Sequence, residues 1–310
     1  MALSCHDLIS IADLTDGDIE ALLETASSFK DISQRLIKKV PPLRGRTIVN
    51  LFLEPSTRTR ASFEIAGKRL SADVINISGT GSSLTKGESL KDTAKTIEAL
   101  SVDAVVLRHW SSGAAHKLAE YIQPSVVNAG DGSHEHPTQA LLDVLTIKES
   151  LGAVEGAKVT IVGDISHSRV ARSLITLLSR LNADVTVVAP PVFLPIGIEA
   201  LGCRVSYSLD DEIYGADVLY LLRIQKERSG AGIFSSYAEY NRMYGLTKER
   251  WARASAKCKV MHPGPMNRGV EIDPDVADSL SSLINTQVTN GVAMRMAVLY
   301  LLIGGGAEHE

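Results

Sequence analysis

Short β-branched apolar runs alternate along this chain with stretches whose apolar residues recur at helical spacing. TIVNLFLE (47–54), VDAVVLR (102–108), AKVTIVGD (157–164), ADVTVVAP (183–190), ADVLYLLR (216–223) and KVMHP (259–263) predict strands. Each is a nearly unbroken apolar run, as expected of strands covered by helices on both faces. Segments 57–70, 88–100, 137–151, 168–181 and 247–254 predict amphipathic helices between them. Strands alternating with helices imply right-handed crossovers and a parallel sheet, so the expected fold class is α/β.

The pattern falls into two sets, one from about residue 40 to 130 and the other from about 157 to 265. A chain of 310 residues suits two packed domains better than one core. The division expected is a first domain over 1–133 and a second over 134–290. The segment 136–151 is a helix between them, with Pro137 in the first turn where its missing N–H costs nothing. TNGVAMRMAVLYLLIG (289–304) is apolar on most sides and needs burial, so a terminal helix over 291–310 is expected to pack back on the first domain.

Composition narrows the choice of partners. Thirty-two Lys and Arg against thirty-six Asp and Glu give a net charge of −4, which argues against a chain built to coat nucleic acid or an anionic membrane but leaves room for local cationic pockets. Val292–Ile303 is interrupted by Arg295 and too short to cross a bilayer, and the first thirty residues show no signal-peptide pattern. A cytoplasmic protein is expected. Cys5, Cys203 and Cys258 lie far apart, which argues against a disulfide framework or a cysteine zinc site.

In α/β sheets ligands sit beyond the carboxyl ends of the strands, and there the polar chemistry collects. After the first predicted strand comes Pro55-Ser56-Thr57-Arg58-Thr59-Arg60 and a helix. Hydroxyls and an arginine at a helix start can bind phosphate; the same residues can serve as an N-cap with surface arginines. Arg108-His109 follows the next strand, as a site cation or an ordinary strand end. His136 and Gln139 are three apart across a helix start, so both can face one ligand. A metal at His134 and His136 lacks a third ligand at helical spacing, and hydrogen bonding to a carbonyl is the preferred reading. Gly163-Asp164-Ile165-Ser166-His167-Ser168-Arg169 stands where a dinucleotide fold carries G-x-G-x-x-G, but only Gly163 is present. Arg223 and Gln225 point to one side of an extended segment. Met261-His262-Pro263-Gly264-Pro265 is a stiff turn that keeps its carbonyl oxygens and could accept hydrogen bonds from an amine, or simply end a strand. Ser82-Ser83-Leu84-Thr85-Lys86-Gly87-Glu88 predicts a polar loop.

Together PSTRTRASFE (55–64), LRH (107–109), HPTQALLD (136–143) and MHPGP (261–265) resemble the aspartate and ornithine carbamoyltransferase family, in that family's order and over nearly the whole chain. Lys86 in a K-G-E loop, Arg169 and LLRIQKER with Arg223 and Gln225 resemble its aspartate-using branch; Gly264 stands where the ornithine enzymes carry a cysteine. Charge agrees, since two carboxylates suit these cations and an ammonium tail does not. The resemblance implies two domains, each a parallel sheet flanked by helices, with the active site in the cleft between them. It implies transfer of a carbamoyl group from carbamoyl phosphate to L-aspartate, in de novo pyrimidine biosynthesis, with no cofactor, no metal and no covalent intermediate. Ser56, Thr57, Arg58, Thr59 and Arg108 would hold the phosphate. Thr59, Arg108 and His136 would polarise the carbamoyl oxygen, and Gln139 with the Pro263, Gly264 and Pro265 carbonyls would bind its amino group. Arg169, Arg223 and Gln225 would bind aspartate, with Lys86 and Ser82 or Ser83 arriving from a neighbouring subunit of a homotrimer. A regulatory chain or a dihydroorotase is a possible further partner. The rival readings are an ornithine acceptor, a nucleotide-binding oxidoreductase, which the missing glycine fingerprint disfavours, and a non-catalytic scaffold.

Overall fold

The computed structural model describes residues 2–79, 87–224 and 236–304. The chain forms two compact units, Met1–Leu142 with Thr289–Glu310, and Asp143–Val288.

In the first unit β1 (Thr47–Phe52), β2 (Asp73–Ser78), β3 (Ala104–His109) and β4 (Ser125–Asp131) form a parallel sheet of order β2-β1-β3-β4. Val49 and Leu51 of β1, Val105 and Leu107 of β3 and Val126 of β4 turn to one face. They pack there with Ala94 and Ile97 of α3 (Leu90–Ala99) and Ala115 and Leu118 of α4 (Ala114–Tyr121). Their neighbours Ile48 and Val106 are also fully buried, so the central strands have no solvent face. α2 (Thr57–Arg69) approaches the sheet through Gly67, where a Cβ would stand 2.6 Å from Val74 Cγ2. The first α-helix, α1 (Asp16–Gln34), is closed at its start by a capping box of Thr15 and Asp18.

The second unit has the parallel order β7-β6-β5-β8-β9, from β5 (Lys158–Val162), β6 (Asp184–Val188), β7 (Arg204–Ser206), β8 (Val218–Leu221) and β9 (Lys259–Met261). α6 (Arg169–Arg180) follows β5, its apolar residues Leu174, Ile175, Leu177 and Leu178 wholly buried. The chain passes between the units inside α5 (Pro137–Leu151), and returns, after the single turn α10 (Pro274–Ala277), inside α11 (Ile284–Ile303). From Thr289 onward α11 belongs to the first unit, where buried Arg295 donates to Ser62 Oγ at 2.9 Å and lies over the Phe63 ring.

Every strand expected from the apolar runs is present. β2, β4 and β7 escaped that pattern for separate reasons. β2 is a half-exposed edge strand, β7 is three residues long, and β4 reads SVVNAGD with Asn128 wholly buried. The helix expected over 247–254 is shorter: only α9 (Lys248–Trp251) forms, preceded by α8 (Tyr237–Tyr244) and α7 (Leu209–Glu212). Among the described residues no helix is long and apolar enough to cross a membrane.

Candidate active site

The first unit brings three polar segments to the carboxyl ends of neighbouring strands. Phe52 at the end of β1 is in register with Arg108 of β3, and His109 pairs with Asp131 at the end of β4. Ser56 is the last residue of the β1–α2 connection, extended in backbone, and its Oγ accepts the Thr59 N–H at 3.4 Å. It is thus an N-cap, and the first turn of α2 still offers N–H groups at the positive end of the helix. Thr57 and Arg58 are exposed there, and Thr59 is buried.

Arg108 is held from two sides. Its Nη2 donates to Glu54 Oε1 at 2.8 Å and its Nη1 to the Ala129 carbonyl at 3.1 Å, with little of the side chain exposed. The adjacent His109 is buried, which pushes its pKa down, and its Nδ1 accepts the Ser111 N–H at 2.8 Å. It is therefore a neutral ring that orders the loop beyond β3.

His136 precedes α5, and its carbonyl accepts the Gln139 N–H at 3.0 Å, so both residues belong to one turn. They are 3% and 7% exposed. Asp131, wholly buried, builds the loop that delivers them. It accepts from Gly113 N–H at 2.7 Å, Asn128 Nδ2 at 2.8 Å and Glu135 N–H at 3.2 Å, and meets His134 Nδ1 at 3.2 Å. The Glu135 carboxylate in turn accepts from Ser10 Oγ and from Ile11 N–H. His134 is thus engaged by Asp131, and among the described residues no group of three His, Cys, Asp or Glu could hold a metal ion.

The second unit repeats the arrangement. β5, β8 and β9 are successive strands, and beyond them come 163–169, 222–224 and 262–265. Gly163 has φ +134° and lies so close to Leu222 that a Cβ would stand 2.9 Å from the Leu222 carbonyl oxygen. Only glycine allows the two connections to touch. Asp164, fully buried, accepts the His167 N–H at 3.1 Å and meets His167 Nδ1 at 2.8 Å, folding the loop back. Ser168 caps α6 by accepting the Ala171 N–H, which sets Arg169 as the first helical residue, 7% exposed. Arg223 is half-buried two residues past the end of β8. In the turn after β9, Gly264 has φ +63° and the Gly264–Pro265 peptide is cis.

Each unit therefore gathers its own set of residues singled out in the sequence. Ser56, Thr57, Arg58, Thr59, Arg108, His136 and Gln139 belong to the first; Arg169, Arg223, Pro263, Gly264 and Pro265 belong to the second. Ser82, Ser83, Lys86 and Gln225 lie outside the described residues. Glu54, Asp131 and Asp164, which fix the cations and loops, had no signal in the sequence because nothing local marks a buried carboxylate's partner. A polar hollow of about 130 Å³ lies at the opposite, amino ends of the second sheet's strands, by Lys158, Asp184 and Arg204. Its arginine is already taken by Glu212, at 2.8 and 2.7 Å, so it has no part in this constellation.

Two α/β units each carry arginines and hydrogen-bond donors at the carboxyl ends of adjacent strands, an arrangement suited to anions. Residues 6–149 match the family model for the aspartate/ornithine carbamoyltransferase carbamoyl-P binding domain, and residues 155–302 match its Asp/Orn binding domain. The chain belongs to the aspartate/ornithine carbamoyltransferase family. It is 60% identical over 299 residues to the aspartate carbamoyltransferase catalytic subunit of Acidothermus cellulolyticus, covering 96% of this chain and 93% of that one. The Thermobifida fusca aspartate carbamoyltransferase catalytic subunit is 57% identical, covering 96% and 95%. Among solved structures, Trypanosoma cruzi aspartate transcarbamoylase in complex with N-(phosphonacetyl)-L-aspartic acid matches with TM-score 0.88 and 34% identity, covering 96% and 95%. The catalytic subunit of M. jannaschii aspartate transcarbamoylase matches with TM-score 0.85 and 38% identity, covering 98% and 100%.

Proposed function

We propose that this chain transfers the carbamoyl group of carbamoyl phosphate to the amino group of L-aspartate, giving N-carbamoyl-L-aspartate and phosphate for pyrimidine synthesis. The observation that carries the reading is the convergence of the Ser56–Thr59 helix start, Arg108 and His136–Gln139 at the ends of β1, β3 and β4. A helix N-terminus, with its positive dipole end and arginine forks, suits a phosphate. Relatives named for aspartate carbamoyltransferase, and a Trypanosoma cruzi structure in complex with carbamoyl phosphate and aspartate, support the choice of substrates.

In this reading Ser56, Thr57, Arg58, Thr59 and Arg108 bind the phosphate. Thr59, Arg108 and His136 face the carbamoyl oxygen, and Gln139 with the carbonyls of Pro263, Gly264 and Pro265 takes the amino group. Arg169, Arg223 and Gln225 bind the two aspartate carboxylates. Lys86, with Ser82 or Ser83, comes from a neighbouring subunit of a homotrimer working in the cytoplasm. The aspartate amine forms a bond to the carbamoyl carbon, and the carbonyl electron pair moves onto oxygen. Donors already fixed around that oxygen stabilise the charge, each contributing about 3–4 kcal/mol. The pair returns, the C–O bond to phosphate breaks, and the departing phosphate takes the ammonium proton.

The test is phosphate release from carbamoyl phosphate with L-aspartate or L-ornithine as acceptor. Release with aspartate alone is expected. Release with ornithine alone would keep the phosphate half and overturn the acceptor half.

A further inference from the structure

The turn after β9 is gripped by a chain of buried side chains that the reaction scheme leaves unused. His262 is 1% exposed. Its Nδ1 accepts the Gly264 N–H at 2.8 Å, so the ring proton must sit on Nε2, which meets Glu271 Oε1 at 3.3 Å. The same carboxylate oxygen accepts the Asn267 N–H at 2.6 Å, closing the far side of the turn. On the near side the His262 N–H donates to Gln287 Oε1 at 3.0 Å, and Gln287 Nε2 donates to Asp143 Oδ1 at 2.8 Å. Asp143 also accepts the Tyr220 hydroxyl at 2.6 Å.

This network is a poor way to gain stability. Glu271 is 1% exposed, and its Oε2 has no protein hydrogen-bond partner among the described residues. A buried carboxylate with one oxygen unsatisfied costs desolvation that an apolar residue of similar size would avoid. What the network does produce is geometry. Pro263 and Pro265 have no N–H, so the Gly264 N–H is the one donor within the Pro263–Pro265 segment that can lock the orientation of its carbonyls. His262 takes that donor, and Glu271 holds the His262 ring.

We infer that His262 and Glu271 are positioning residues for carbamoyl transfer, orienting the Pro263–Pro265 carbonyls toward the substrate amino group. The inference rests on the function proposed above. Misplacement of a substrate-orienting group by a fraction of an ångström lowers the rate of the chemical step more than it lowers binding elsewhere.

His262→Gln keeps a donor for Glu271 but removes the acceptor for Gly264. Glu271→Ala frees the ring, and Glu271→Gln keeps an acceptor for both His262 and Asn267. His262→Gln and Glu271→Ala should lower kcat by about 10- to 100-fold. Inhibition by inorganic phosphate, which binds through Ser56–Thr59 and Arg108, should not change. Glu271→Gln should restore most of the rate lost in Glu271→Ala. In the unmodified protein, nitrogen NMR of the His262 ring should show Nε2 protonated and Nδ1 bare. Full turnover in both disruptive variants, an equal loss of phosphate affinity, failure of Glu271→Gln to restore rate, or an Nδ1–H ring would each overturn the inference. If His262→Gln does not fold, the two Glu271 variants decide by the same measurements. An unmodified protein that releases no phosphate with aspartate would overturn the underlying function instead.

Discussion

Glu54 and the Ala129 carbonyl fix the plane of the Arg108 guanidinium before any ligand arrives, whereas Arg58 projects from the first turn of α2 in an exposed position. The two arginines therefore differ in what their removal does. Arg58→Ala should leave the thermal midpoint close to that of the unmodified chain, because the side chain is exposed. Turnover should fall about 10²- to 10³-fold, the usual loss for one preorganised donor to developing charge. Steady-state phosphate release and a melting curve on the same sample check both halves, and near-normal turnover contradicts the phosphate role. Arg108 was legible as a cation beyond an apolar run; Glu54 was not legible as its partner. The pair is 54 residues apart in sequence and is made by the β1–β3 register, which no local pattern encodes.

At the scale of elements, the near-continuous apolar strands could be read directly, since burial on both faces removes the polar alternation that would otherwise be needed. β4 could not. Its Asn128 is tolerated inside because its Nδ2 donates to the Ile9 carbonyl and to Asp131, and its Oδ1 accepts the Gly130 N–H. Helix starts were more legible, because Ser56, Ser89 and Ser168 are caps by residue type and position. The start of α1 carries a pH-dependent contribution. Burial alone would raise the Asp18 carboxyl, but hydrogen bonds from Ser4 and Thr15 outweigh it and hold the pKa at about 2. A depressed carboxylate pKa adds stability that is fully present above the unfolded value near 4, and is lost as pH falls through about 2. The urea midpoint of Asp18→Asn should thus lie below that of the unmodified protein at pH 7, with the gap narrowing below pH 4. A gap that stays constant with pH would contradict this account.

At the scale of the whole molecule, the order of motifs was legible and the wiring between distant segments was not. Asp143, Tyr220 and Gln287 meet through hydrogen bonds that span 77 and 144 residues of sequence. The proposed sharing of sites between subunits has a direct test. Arg58→Ala and Lys86→Ala chains, each strongly impaired alone, should recover activity when dissociated together and reassembled. In a mixed trimer, a site with Arg58 from one parent and Lys86 from the other is intact. Absence of recovery in verified hybrids would place Lys86 in its own subunit's site. The crossing of the chain inside α5 and α11 has a further consequence for biosynthesis. The second unit is one uninterrupted segment, Asp143–Val288, so all of its residues are synthesised before Thr289. The first unit keeps part of its core on residues synthesised later, with Ala293, Met294, Ala297 and Val298 all wholly buried. Until those residues emerge, the nascent first unit lacks part of the apolar surface that completes its core.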